Sequence, residues 1–105
     1  MDRFYLLNNE QRFVAIEHTL RTVRRLTACV SKAQTREERS RHARHARLFL
    51  ADARRVSRRI RREPIDKGAR TGWIRTPEHY ALDRSIEAAM LWLDRATSKA
   101  RRAGR

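Results

Sequence analysis

Residues 36–62 read REERSRHARHARLFLADARRVSRRIRR, and the fold turns on how that run is arranged in space. Wound as an α-helix, Ala43, Ala46, Leu50, Ala53, Ser57 and Ile60 recur three or four apart and line one side. His42, Phe49 and Val56 widen the stripe. The opposite side collects Arg44, Arg55, Arg58 and Arg62, with Arg41 and Arg59 beside them. Arg47, Arg54 and Arg61 run along one flank. The stretch therefore predicts a single helix with a lining for a core and a dense positive back.

A helix with one apolar side needs partners to cover it, and the sequence on either side supplies two. Upstream, Phe13, Ile16, Leu20, Val23, Thr27 and Val30 keep the same spacing, Leu26 broadens it, and together they predict a helix over 10–33. Asn8 or Asn9 caps its start, and Glu10 lies in the first turn, where negative charge is favoured. Its outer side carries Arg21, Arg25 and Lys32, with Val14 and His18 among them. Ala33, Gln34 and Thr35 are the only break before the next helix, and Thr35 with Glu38 reads as a capping box. So short a connection makes the two helices antiparallel neighbours. Neither Ala33 nor Gln34 breaks helices, so one long kinked helix is the competing arrangement.

Downstream, Pro64 stops the second helix near Arg62. Residues 63–75, with Pro64, Gly68 and Gly72, read as a loop whose Ile65, Trp73 and Ile74 plug the end of the bundle. It is no phosphate loop, because the lysine and hydroxyl of that motif are missing. Thr76-Pro77-Glu78 is a strong helix start: a capping hydroxyl, a proline suited to the first helical position, and an acid at the positive end. Leu82, Ile86, Ala89, Leu93, Ala96 and Ala100 then line a third helix over 77–100, with Met90 and Trp92 on its margins. Its exterior has an acidic stripe of Asp83, Glu87 and Asp94 and a basic one of Arg84, Arg95 and Arg102. Residues 1–9 form an arm or turn and 101–105 a basic tail. The expected fold is all-α: a single-domain, small three-helix bundle built from an antiparallel helical hairpin and a C-terminal helix.

Charge is the other dominant feature. Against 12 acidic residues stand 26 basic ones, 23 of them arginine, for a net charge of +14. The planar guanidinium fork suits phosphate and carboxylate better than lysine does, although a G+C-rich genome gives the same bias. Residues 21–62 sum to +12 and residues 63–94 to −2. That concentration fits a face meeting a polyanion better than an evenly solvated surface. Cys29 is alone, which leaves no intrachain disulfide and no cysteine metal cluster. No apolar run reaches membrane-spanning length and the amino terminus lacks a secretory pattern, so a cytoplasmic protein without a membrane partner is expected.

Catalytic signals are weak. His42 and His45 lie three apart, but arginines surround them and no third ligand is nearby, so no metal and no cofactor are expected. Asp83 and Glu87 sit one turn apart, a pattern common on surfaces, and no serine or histidine falls in register with them, so no catalytic role and no enzyme activity are assigned. The expected function is non-catalytic, largely sequence-independent binding of DNA or RNA. The phosphate contacts are assigned to Arg21, Arg25, Lys32, Arg41, Arg44, Arg55, Arg58, Arg59 and Arg62. No zinc finger, aromatic RNA-binding strand or basic-zipper pattern is present. A second reading starts from Val14, Leu48 and Leu91, which point away from the core on three helices. With Asp83, Glu87, Asp94 and Trp73 they mark a protein interface, for a homodimer or for a small adaptor or inhibitor acting on a nucleic-acid-processing complex. Small basic helical proteins of this shape include phage-encoded regulators, a comparison that carries no residue over.

Overall fold

The structure is a computed structural model and describes residues 8–61, 63–67 and 70–104, apart from the side chains of 63–67 and 70–74. It is a three-helix bundle, α1 (Asn9–Lys32), α2 (Arg36–Arg58) and α3 (Pro77–Arg102), with a hairpin, β1 (Glu63–Lys67) and β2 (Arg70–Ile74), between α2 and α3. Residues 1–7 of the expected arm and Arg62 lie outside the described residues, and its last two residues belong to the helix, Asn8 as the cap and Asn9 as the first residue of α1.

The break between α1 and α2 is real. Ala33 leaves the helix with an extended backbone (φ −60°, ψ 134°), and Thr35 Oγ1 accepts from the Glu38 N–H at 3.1 Å. The capping box is only half formed, because the Glu38 carboxylate accepts from the N–H of Gln34 (3.2 Å) and not from that of the cap. At the other end of α1, Asn8 is the cap and exchanges both capping-box bonds with Gln11 (2.8 and 3.0 Å). This frees the Asn9 side chain to clip α1 to the end of α2, donating to Arg61 O and accepting from Arg61 N, both at 2.9 Å.

The apolar stripes meet as expected. Ile16, Leu20, Val23 and Val30 of α1 pack with Ala43, Ala46, Leu50, Ala53 and Val56 of α2 and with Leu82, Ile86, Ala89 and Leu93 of α3. Three buried alanines on α2 let its neighbours approach closely. Phe13, Leu26, Met90 and Ala96 are only partly covered, and Phe49, at the edge of its stripe, stays 39% exposed. Two arginines depart from the expected pattern: Arg12 and Arg39 are buried at stripe positions, 5% and 6% exposed. Arg39 stands four residues before Ala43 and continues its row.

The expected loop over 63–75 is corrected to an antiparallel hairpin in which Glu63 pairs with Ile74 and Lys67 with Arg70. β-Branched and aromatic residues favour such strands, and the register leaves two residues between them, a common hairpin length. Pro64 is tolerated because each strand of a two-stranded sheet is an edge. The strands pair with each other. Whether Ile65, Trp73 and Ile74 plug the bundle end lies outside the described side chains. α2 also stops at Arg58, short of 62, with Arg59 as its cap, and α3 runs two residues past 100. The molecule is elongated, 61 × 29 × 15 Å with a radius of gyration of 17.1 Å, against ~13 Å for a compact chain of this length.

Candidate anion-binding interface

The α2 helix sets out its arginines as its sequence spacing requires. Arg41, Arg44, Arg55 and Arg58 are exposed on its outer side, as are Arg36, Arg47 and Arg54. Arg55 lies 3.5 Å from Asp52, with both side chains about half exposed; a pair so exposed leaves its charge largely available. Arg59 is half-buried and engaged within the chain. On α1, Arg21, Arg25 and Lys32 are exposed too. These three and the α2 set stand on two different helices.

The flank of α2 faces α3 across a groove. Its middle, about 460 Å³, is lined by Leu50, Met90 and Leu93 below and by Arg47, Arg54, Arg55, Arg58 and Asp94 along the rims. Glu87 and Asp83 continue the α3 wall next to Arg54 and Arg58. The acidic stripe therefore faces α2 of its own chain. Val14, Leu48 and Leu91 are 50%, 61% and 55% exposed, each on a different helix. Tyr80 and Trp92 are also exposed, at 51% and 58%.

At the hairpin end the groove, about 440 Å³ there, is lined by a polar cluster that sequence reasoning missed. Ser57, buried on α2, donates its hydroxyl proton to Asp83 Oδ1. Its oxygen lies 3.1 Å from His79 Nε2. Arg75 Nη2 donates to Asp83 Oδ2, and Arg75 Nε donates to His79 Nδ1 at 3.4 Å. The Arg75 guanidinium also lies over the Tyr80 ring, 4.6 Å from its centre. The Phe13 ring meets the His79 ring edge-on at 6.5 Å. Asp83 thus has a serine and a histidine in register after all, and the signal was in the chain: His79 stands four residues before Asp83, and Ser57 is the polar member of an apolar stripe.

The wiring, however, does not activate the serine. A nucleophilic serine gives its proton to a histidine whose other nitrogen is held by the carboxylate. Here Arg75 donates to Nδ1, so the neutral ring carries its proton on Nε2 and donates to Ser57, whose own proton goes to Asp83. Burial pushes the His79 pKa below its ordinary value, and the positive charge of Arg75 pushes it further in the same direction. The cluster works as a clamp joining α2, the hairpin exit and the start of α3.

His42 is half-buried and His45 exposed. Among the described residues, no three histidine, cysteine or acidic side chains are grouped to hold a metal, and no helix is long and apolar enough to cross a membrane. Neither protein-family models, nor curated proteins, nor solved structures match this chain.

Proposed function

We propose that the protein binds nucleic acid without acting chemically on it, holding the phosphate backbone with the exposed arginines of α2. The observation that carries this reading is the density of that helix: seven of its arginines are exposed along 23 residues, and the acids facing them are fewer. Guanidinium forks along a rigid rod suit successive phosphates. With few aromatics, 7% of the chain, recognition rests on charge and shape more than on base stacking. Arg21, Arg25 and Lys32 on α1 extend the same field. The test is an anisotropy titration against duplex DNA, single-stranded DNA and duplex RNA in turn. Binding to at least one below ~10 μM at roughly 0.15 M salt is expected, since nonspecific binders reach that range. Silence against all three removes the proposal.

The second reading, a protein-binding adaptor or a homodimer, draws support from the exposed Leu91 and Trp92, adjacent on α3. Leu48 and Val14 are exposed on α2 and α1. Light scattering at micromolar concentration separates these cases, a dimer doubling the 12.5 kDa mass of the chain.

A further inference from the structure

At the end remote from the hairpin, the α2–α3 groove widens to about 930 Å³ between the first half of α2 and the last turn of α3. Arg36, Arg39, Arg44, Arg47 and Arg101 line it with Ser40, and among the described residues no acidic side chain does. Five like charges around one hollow repel one another.

Arg39 is the telling member. Its side chain is buried, 6% exposed, yet Nη1 is shielded from solvent without a hydrogen-bond partner. Among the described residues no carboxylate pairs with it. A buried guanidinium nitrogen left without an acceptor is unfavourable until one meets it. The start of α2 adds the partial positive charge of a helix N-terminus at the same end, partly offset by Glu37 and Glu38 in its first turn. The opposing C-terminus of α3 is itself offset by Lys99, Arg101 and Arg102 in its last turn.

We propose that this hollow is a seat for a short chain of linked phosphate groups. Arg39 grips from the floor, Arg36, Arg44, Arg47 and Arg101 from the rims, and the Ser40 hydroxyl donates from the α2 wall. From Arg36 to Arg47 the helix rises ~16 Å, more than one phosphate needs and enough for several in a row. Such a chain comes either from the backbone of a nucleic-acid strand or from a free polyphosphate, including a nucleoside triphosphate tail. The first source builds on the function proposed above. The decisive residue, Arg39, is not among the outer arginines on which that function stands, so the two ideas fail separately.

The test is calorimetric titration of the full chain with sodium tripolyphosphate at fixed ionic strength, with melting temperature as second readout. Saturable binding is expected for the wild type. Arg39→Met should weaken it at least about tenfold, the loss of a charge-assisted bond, while the free protein melts no lower, because a buried charge has gone. Should Arg39→Met fail to fold, Ser40→Glu on the exposed wall should give the same loss of binding. Equal affinity in wild type and variant, or no saturable binding by the wild type, overturns the seat. A short single-stranded oligonucleotide titrated against the same variants assigns the source. A parallel loss points to a strand backbone, and a loss confined to tripolyphosphate points to a free phosphate ligand.

Discussion

His79 is packed where its charged form is disfavoured, and this sets the pH response of the bundle. Its folded pKa lies below the ordinary 6.5, so between those two values the unfolded chain holds the extra proton. Stability contributed by the neutral ring is therefore complete above about pH 6.5 and falls as pH drops through the folded pKa. Melting curves from pH 8 down to 5 should show this loss, and His79→Phe should flatten that part of the profile. Ser57→Ala removes the hydroxyl between His79 and Asp83 and should cost about 1–3 kcal/mol, because buried partners are left unsatisfied; urea titration measures it. In the core, Ile16→Ala should cost about 2–5 kcal/mol, as other large-to-alanine changes at fully covered sites do. Ile16 was legible from its spacing alone. The clamp was half legible, since the fourfold spacing of Arg75, His79 and Asp83 is visible in the chain, but only the packing of α2 against α3 brings Ser57 to them. Arg39 and Arg12 were missed because a charged residue at the end of an apolar stripe is ordinarily solvated.

Among the elements, the helices announced themselves through period and caps. Thr76 accepts from the His79 N–H at 3.2 Å, and Thr76→Ala should lower stability by about 1 kcal/mol without changing the helix count seen by circular dichroism. Ala46, with no exposed surface, marks a close approach of α2 to its neighbours. Ala46→Leu should cost about 1–3 kcal/mol through overpacking, visible as a lower urea midpoint. The hairpin was not legible, because Pro64 and Gly72 both argue against strands and each strand is only five residues long. What decided it is cross-strand pairing, which no single segment displays. The early end of α2 at Arg58 leaves residues 59–61 outside the helix ahead of β1.

For the whole molecule, the distribution of charge was legible and its shape was not. The sequence gathers positive charge between residues 21 and 62. Only the bundle shows that α3 sets Glu87 and Asp94 along a groove beside Arg54. Because +14 attracts any polyanion to some degree, binding by itself discriminates little, and its dependence on position is what matters. The direct measurement is the slope of log affinity against log salt for duplex DNA. The wild type is compared with an Arg41→Ala, Arg55→Ala, Arg58→Ala variant and with an Arg84→Ala, Arg95→Ala, Arg102→Ala variant of equal charge. If α2 holds the backbone, the first variant should lose close to three contacts' worth of slope, ~0.9 per phosphate, and weaken every sequence alike. The second should keep nearly the full slope. Equal losses in the two variants would contradict the assignment and leave only the net charge of the protein at work.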